Sequence, residues 1–310
     1  MPELPDILLY IEALDRLIRG KVIDRVELRS PFLLRSVEPG LSEAQGKQVL
    51  ALRRLGKRIV WELEDDLFAV FHLMIAGRFH WRKPGAGPRK KTDLAAFHFC
   101  NGSLMLTEAG SKKRASLHMV RGEGSLAQHD PGGLEVLGCG LSDFRDALLR
   151  ENHTLKRALS DPRLFSGIGN SYSDEILHAA GLSPVKWTSR LSDEEISRLH
   201  ESTRETLQLW IERLREECRL AFPEKVTAFR NGMAVHGRFG EPCPQCGTAV
   251  QRIAYAENET NYCPRCQTDG KVLADRQLSR LLREDWPRTV EEIESRPGFS
   301  SKRDPVRDHG

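Results

Sequence analysis

Cys243-Pro244-Gln245-Cys246, and sixteen residues further on Cys263-Pro264-Arg265-Cys266, decide how the C-terminal part of this chain folds. Each Cys-x-x-Cys turn places two thiolates on one side of the backbone, and two such turns close a tetrahedral shell around one metal ion on a β-hairpin. A short segment thereby gains a fold that its small core would not hold by itself. The other reading is a pair of disulfides. The sequence has no signal peptide and no run of about eighteen apolar residues, so a reducing cytosol and one structural zinc are expected. Cys100, Cys139 and Cys218 are scattered singly and are expected as small buried apolar residues.

The 310 residues are 39% hydrophobic and 29% charged, enough to bury two sizeable cores besides the small module. The formal net charge of +3 is modest, but its distribution is uneven. Lys47, Arg53, Arg54, Lys57, Arg58, Arg78, Arg82, Lys83, Arg89, Lys90 and Lys91 fall in one stretch with few acids, followed by Lys112, Lys113 and Arg114. Charge alone leaves two readings level, a face suited to phosphates and an ordinary solvated face.

Residues 21 to about 125 read as β-structure, with β-rich runs at Lys21–Leu28, Gln48–Leu63, Leu67–Phe79, Leu94–Cys100 and Ser103–Thr107. Asp65-Asp66 and Asn101-Gly102 punctuate hairpins, and the second is the dipeptide that a type I′ turn prefers. Pro84-Gly85-Ala86-Gly87-Pro88 reads as a flexible loop, and the breakers from Gln128 through Pro131-Gly132-Gly133 to Gly140 mark an interdomain linker. Beyond it the period becomes helical, at Leu141–Arg150, Thr154–Leu159, Ser171–Ala180 and Ser192–Leu220, the last opened by a Ser192-x-x-Glu195 capping box. One further amphipathic helix is expected at Asp275–Leu282, before a polar tail through Ser300-Ser301-Lys302-Arg303 that reads as disordered. There is no internal repeat.

Met1-Pro2-Glu3-Leu4-Pro5-Asp6 opens the chain. A small second residue permits excision of Met1, which would make the secondary amine of Pro2 the terminus, titrating near ~8. Attack by that amine on an aldehyde-level carbon gives an iminium, with Glu3 beside it to move protons. Ile7, Leu8, Ile11, Leu14, Leu17 and Ile18 recur at helical spacing, Pro5 suits a first turn and Gly20 a C-terminal cap. Pro2 would then lie at the positive end of a helix, where an ammonium is disfavoured. An ordinary helix entry is the competing reading. In Leu164-Phe165-Ser166-Gly167-Ile168-Gly169-Asn170-Ser171-Tyr172, two glycines expose backbone amides just before a helix N-terminus, which suits a phosphate as well as a plain helix-helix turn.

Pro-Glu-Leu-Pro at the terminus, a β-rich domain, Gly-Ile-Gly-Asn in a helical domain and a terminal four-cysteine hairpin stand here in the order of one family. Over residues 1 to about 267 the chain resembles the formamidopyrimidine-DNA glycosylase and endonuclease VIII family of base-excision repair enzymes. The resemblance implies an α+β multidomain protein: an N-terminal helix with an antiparallel β-sandwich (1–127), a linker (128–140), a helix-two-turn-helix domain (141–235), a four-cysteine zinc finger (236–270) and a partly disordered extension (271–310). It implies that Pro2 attacks the sugar C1′ of a damaged nucleotide and that Glu3 is its general acid and base. Lys57 matches the lysine beside the lesion backbone, His72 a phosphate contact before the loop that probes the duplex, and Asn170, after Gly169, the asparagine that grips a phosphate. Gly237-Arg238-Phe239-Gly240-Glu241-Pro242-Cys243 is similar to the family's entry into its finger.

Three stretches depart from the family pattern. Where the probing loop usually reads His-Leu-Gly-Met-Ser-Gly, this chain has His72-Leu73-Met74-Ile75-Ala76-Gly77, which leaves Ile75 as the apolar wedge. Oxidised-purine members carry Asp-Pro-Arg-Arg-Phe-Gly where this chain reads Glu108-Ala109-Gly110-Ser111-Lys112-Lys113-Arg114-Ala115-Ser116, without the phenylalanine wedge, and Arg114 is the DNA-contact candidate of this stretch. The hairpin arginine aligns with Asn258, flanked by Glu257 and Glu259, with Arg252 and Arg265 the nearest candidates to compensate.

The first functional reading is a DNA glycosylase with lyase activity that excises oxidised or ring-opened bases and nicks the strand by β-elimination. The alternative is a binding protein for damaged DNA on the same fold, and a third reading is a zinc-finger regulator unrelated to repair. The first implies a monomeric, bacterial-type cytoplasmic protein at the nucleoid, with damaged or abasic double-stranded DNA as partner and no membrane association.

Overall fold

The computed structural model describes residues 1–110, 112–255, 258–274, 278–282 and 286–295. It divides into two compact units, Met1–Gly133 with Leu207–Ala228, and Leu134–Thr206 with the chain from Phe229 onward.

The first unit begins with helix α1, Leu4–Ile18, whose buried face is Leu4, Ile7, Tyr10, Leu14 and Ile18. Eight strands follow: β1 Arg25–Leu28, β2 Val49–Leu55, β3 Arg58–Leu63, β4 Leu67–His72, β5 Gly77–Arg82, β6 Asp93–Phe99, β7 Gly102–Glu108 and β8 Ser116–Arg121. They form two antiparallel sheets, ordered β1-β6-β7-β5 and β2-β3-β4-β8. Their inner faces share one core. Trp61 and Phe71 from the second sheet meet Phe97 from the first at ring separations of 5.1 and 5.4 Å, and Phe71 meets Phe79 at 5.4 Å. A short helix α2, Glu123–Ala127, closes this stretch. Leu126 covers a smaller apolar cluster of Val60, Phe68 and Val70 on the outer face of the second sheet. Phe222 and Val226 pack against the main core.

The β-rich reading of residues 21–125 thus resolves into a sandwich. The run Gln48–Leu63 is split by a two-residue turn at Gly56-Lys57, where Gly56 at φ +61° stands first, as in a II′ hairpin. The run Leu67–Phe79 is split at Leu73–Gly77. Strand β8 went unanticipated because its alternation of Leu117 and Met119 with His118 and Val120 is short and flanked by basic residues. The turn chemistry is the reverse of that expected. Asp65 and Asp66 both carry positive φ, 59° and 54°, the requirement of a type I′ turn, whereas Asn101 and Gly102 do not, and Phe99 pairs with Gly102 around Cys100-Asn101. Short polar side chains tolerate the left-handed region well enough for the aspartates to take it. Cys100 is exposed at that turn and Cys139 and Cys218 are half-buried, so the three single cysteines are not core residues.

The second unit carries α3 Leu141–Leu149, α4 Leu155–Ser160 and α5 Asn170–Ala179, followed by the 26-residue α6, Asp193–Cys218, from which Leu207 onward is grouped with the first unit. Phe144 packs on Phe165 at 4.9 Å. The capping box forms as its spacing predicts: Ser192 N–H donates to Glu195 Oε2 at 2.9 Å and Glu195 N–H to Ser192 Oγ at 3.3 Å. The finger is the antiparallel pair β9 Gln251–Tyr255 and β10 Asn258–Tyr262, followed by α7 Pro264–Thr268. Its own core is only Val235, Cys243, Val250 and Cys263.

The extension past the finger is partly built. Lys271 bridges Thr289, Leu273 N–H donates to Tyr262 Oη at 2.7 Å, and Val290 and Ile293 of α9, Val290–Glu294, are buried. Of the helix expected at Asp275–Leu282, the described part is α8, Leu278–Leu282; residues 275–277 and the tail 296–310 lie outside the described residues.

Phe71 is fully buried among three aromatic rings, so Phe71→Ala should destabilise the first unit by roughly 3–5 kcal/mol. Phe32→Ala, at a side chain 73% exposed, should change stability by no more than about 0.5 kcal/mol in the same thermal or denaturant melts.

Candidate functional site

In the first unit the chain terminus is fixed rather than frayed. Pro2 and Glu3 are buried, and Asp6 Oδ2 accepts from Glu3 N–H at 2.8 Å, capping α1 from within its first turn. The α-amine, here on Met1, titrates below its ordinary value of 8.0. Burial is the largest cause, Arg78 and Lys57 add to it, and Glu3 and Asp6 oppose it. The sequence therefore brings Glu3, Lys57 and the terminus into one electrostatic neighbourhood, and also Arg78, which no local pattern marks as special.

Alongside lies a basic surface on the second sheet. Arg58 stands opposite His72 in the β3–β4 register, His72 opposite Ser116, and Val70 opposite His118, so Arg58, His72 and His118 share the outer face. His118 and His129 lie with ring centroids 4.7 Å apart. All these groups are pushed toward their neutral forms, by burial first in each case. His72 falls to about 4, with Arg58, Lys57 and His118 reinforcing burial; Arg54 falls to about 10; Arg58, His118 and His129 are also lowered. Asp130 opposes the shift at the two arginines. Desolvated cations crowded in this way are suited to an incoming anion. At pH 7 His72 is a neutral imidazole.

The probing loop is a tight turn in which Gly77 N–H donates to Leu73 O at 2.9 Å. A Cβ on Gly77 would collide with the Leu73 carbonyl, so only glycine closes it. Met74 takes φ +52° and Ile75 is 49% exposed at the tip, where an apolar wedge is useful. Arg114 is exposed on a loop organised by buried Glu108, whose Oε1 and Oε2 accept from Arg114 N–H at 3.0 and 2.9 Å. Ser111 in that loop is outside the described residues.

In the second unit Gly169 precedes Asn170, the first residue of α5, and Asn170 Nδ2 donates to the Glu259 carbonyl of β10 at 3.0 Å. Two acids that sequence reasoning missed seat the finger on this helix. Asp174, fully buried, takes Lys156 Nζ at 2.5 Å on one oxygen, and His236 Nδ1 at 2.7 Å with Asn261 N–H at 3.2 Å on the other. Glu175 accepts from the backbone N–H of Ala234, Val235 and His236 at 2.7, 3.0 and 2.9 Å. No spacing rule reveals them, because their partners on the finger side are more than fifty residues away.

The thiol sulfurs of Cys243, Cys246, Cys263 and Cys266 lie within 4.8 Å of one another, with Cys243 to Cys266 at 3.9 Å and Cys246 to Cys263 at 3.4 Å. A tetrahedron with Zn–S bonds of about 2.3 Å has edges near ~3.8 Å, so the donor set fits one structural zinc. His178 Nε2 lies 3.2 Å from Cys243 Sγ, and burial holds that imidazole below its ordinary range. A neutral N–H beside a thiolate is the usual outer support of such a site. Backbone pairing places Asn258 opposite Tyr255; its side chain, with Ala256 and Glu257, lies outside the described residues. Arg252 faces Phe239 at 4.5 Å from the ring centre and Glu259 at 3.5 Å, and Arg265 lies 4.0 Å from Glu294.

Three family models match the chain in order: the formamidopyrimidine-DNA glycosylase N-terminal domain over residues 1–113, its H2TH domain over 139–220, and the zinc finger found in FPG and IleRS over 240–268. A formamidopyrimidine-DNA glycosylase of Heliobacterium modesticaldum is 33% identical over 277 residues, covering 86% of this chain and all of that one. An uncharacterized formamidopyrimidine-DNA glycosylase-like protein of Mycobacterium tuberculosis is 38% identical over 152 residues, 49% of this chain and 94% of its own. The solved complex of Lactococcus lactis Fpg with DNA containing an abasic site superimposes with a TM-score of 0.76 at 29% identity, covering 86% of this chain and 99% of that one. With its three domains matched in order and a relative spanned from end to end, this chain belongs to the formamidopyrimidine-DNA glycosylase family of DNA repair enzymes.

Proposed function

We propose that the chain is a bifunctional DNA glycosylase and abasic-site lyase acting on oxidised or ring-opened bases, with Pro2 as nucleophile once Met1 is removed. The observation that carries this reading is that Pro2 and Glu3 are buried at the head of α1, beside a Met1 amine that burial, with Arg78 and Lys57, holds below its ordinary pKa against the opposing charge of Glu3. A base inside a duplex is out of reach, so the nucleotide is extruded first, and Ile75 fills the space it leaves. Lys57, His72, Arg114, Gly169 and Asn170 then hold the bent backbone, positioning it without reading sequence. Asn258 adds an amide contact from the hairpin where relatives of the wider family place a guanidinium.

The chemistry follows from the neutral amine. Its lone pair bonds to C1′ while the base departs with the electron pair of the glycosidic bond and gains a proton, and Glu3 carries protons between these groups. The aminal so formed opens its sugar ring, the C1′–O4′ bond breaking as O4′ takes a proton, and the resulting iminium acidifies the C2′ hydrogen. Loss of that proton and expulsion of the 3′ phosphate cut the strand. The working modules in this reading are 1–127 for catalysis, 141–235 and the finger 236–270 for grip, joined by 128–140, in a monomer at the nucleoid. No helix among the described residues is long and apolar enough to cross a membrane. A pure binding protein would have no use for a buried amine beside a carboxylate, which is why that alternative is not favoured.

Borohydride should trap a covalent adduct with abasic DNA at Pro2. The burial that lowers the Met1 amine, acting on a Pro2 terminus at the same place, should make trapping level off below pH 8, the ordinary midpoint of such an amine. An N-terminal tag that traps as well as native protein would show the nucleophile to be elsewhere. Glu3→Gln should keep DNA affinity within a few fold while lowering base release by at least about 100-fold in single-turnover assays. Purified protein should carry one zinc per chain. Changing any of Cys243, Cys246, Cys263 or Cys266 should remove the metal and weaken DNA binding, read by metal analysis and a gel-shift titration.

A further inference from the structure

The outer face of the second sheet has two ends of opposite character. At one end α2 and the apolar cluster of Val60, Phe68, Val70 and Leu126 cover it, and the cation there is paired: Arg53 Nη2 lies 2.5 Å from Glu123 and 3.8 Å from Glu62, with the guanidinium 5.2 Å from the centre of the Phe68 ring. At the other end stand Arg58 on β3, His72 on β4 and His118 on β8, and the chain leaving α2 lays His129 beside His118 with ring centroids 4.7 Å apart. All four side chains are half-buried, and among the described residues none of them takes part in a hydrogen bond or an ion pair.

The charges that act on these imidazoles are positive. His118 feels His129, Arg58 and Arg35, whose N–H donates to the neighbouring Leu117 carbonyl at 2.9 Å; His72 feels Arg58, Lys57 and His118; His129 feels Arg58. Asp130 opposes them by acting on Arg54 and Arg58, but it is exposed and one of its oxygens accepts from Gly132 N–H at 2.9 Å. One exposed carboxylate is a weak counterweight to the Arg58 guanidinium and three imidazoles. The register adds a spacing. His72 faces Ser116, so His118 is its diagonal neighbour on the same face, about 7–8 Å away by backbone geometry. That offset is comparable to the step between successive phosphates of one nucleic-acid strand.

We propose that Arg58, His118 and His129 form a second phosphate site for the DNA backbone, adjoining the phosphate that His72 contacts. This rests on the reading of the chain as a DNA repair glycosylase with His72 on the backbone. Charging both of two imidazoles 4.7 Å apart is costly, so the pair takes up one proton from solvent as the site fills. Burial first, and then the neighbouring cations, hold both rings below their ordinary range in the free protein, whereas a phosphate favours the imidazolium. Affinity for DNA therefore rises as pH falls.

Fluorescence anisotropy with a duplex carrying a tetrahydrofuran abasic analogue tests this on the full chain, titrated over a series of salt concentrations at about pH 8 and about pH 5.5. The slope of log affinity against log salt counts the phosphates neutralised, at about one unit for each. In wild-type protein it should be steeper at the lower pH. In the double variant His118→Gln/His129→Gln that difference should shrink by about one unit, and Arg58→Gln should reduce the slope by about one unit at both pH values. A single neutral methylphosphonate moved along the strand then locates the contact. At one position it should weaken wild-type binding severalfold and the double variant by less than about twofold, and that position should adjoin the one coupled in the same way to His72→Gln. A slope difference in the double variant equal to that of wild type, or no coupled position beside the His72 phosphate, would overturn the proposal. If the double variant does not fold, Arg58→Gln decides alone in the same scan, and the absence of a position coupled to it refutes the site. No position coupled to His72→Gln would refute His72 as a backbone contact and the proposal with it. Wild-type protein that shows the proton linkage but traps no adduct would instead refute Pro2 as nucleophile and leave the phosphate site standing.

Discussion

On the proposed reading of Pro2 as nucleophile the chain end has to be immobile, and the first unit buries Pro2 and Glu3. Terminal residues are ordinarily the most mobile part of a domain unless something ties them down. Here α1 begins two residues after Pro2 and buries Leu4, Ile7, Tyr10, Leu14 and Ile18 completely, which pins the helix to the sandwich core along its length. Asp6 fixes the first turn by accepting from Glu3 N–H. The burial that holds the amine still also removes it from water, and desolvation penalises the ammonium more than the neutral amine. On that reading positioning and activation have one structural cause.

The basic surface beside the terminus follows a related logic. Arg54, Arg58, His72, His118 and His129 are each shifted toward neutrality with burial as the first cause, so the surface is costly when it has no anion. For His72 the sign is clear: between about pH 6.5 and about 4 the unfolded chain binds a proton that the folded chain does not, so its contribution to stability declines as pH falls through that window. A phosphate lying on this face reverses the balance by favouring the imidazolium. DNA binding in that range should be accompanied by proton uptake, and the cost carried by the free protein becomes part of its affinity for the backbone. The packed aromatic core of Trp61, Phe71, Phe79 and Phe97 on the other side of the sheet gives the fold room to tolerate it.

Much of this was legible in the residues because local chemistry determines it. Helix α1, the capping box of α6, the alternating strands and the two Cys-x-x-Cys turns each depend on neighbours within a few positions, and the structure places them where their spacing requires. The turn types were misjudged because Asn-Gly is a statistical preference, whereas the strand register decides which pair of residues must take positive φ, and that pair is Asp65-Asp66. Arg78, Asp174 and Glu175 could not be recognised in advance. Their roles come from partners that only folding brings near: Val226 for the arginine, and His236, Asn261 and the backbone at residues 234–236 for the acids.

The finger shows how far a small module depends on such distant contacts. Its core of Val235, Cys243, Val250 and Cys263 is too small to hold a hairpin of five-residue strands, and metal ligation supplies what the core lacks from inside. From outside, Asp174 and Glu175 grip both the approach to the finger and β10, so the hairpin is oriented by α5 as well as by its own ligands. Asn170 opens the same helix and donates to Glu259, the residue immediately after Asn258. A phosphate docking at the N-terminus of α5 would therefore bear on the hairpin through one hydrogen bond rather than across a flexible joint. With an amide instead of a guanidinium at position 258, the hairpin has less charge with which to find the backbone by itself. In the proposed reading, the link to the asparagine turn is the physical means by which the finger keeps its register on DNA.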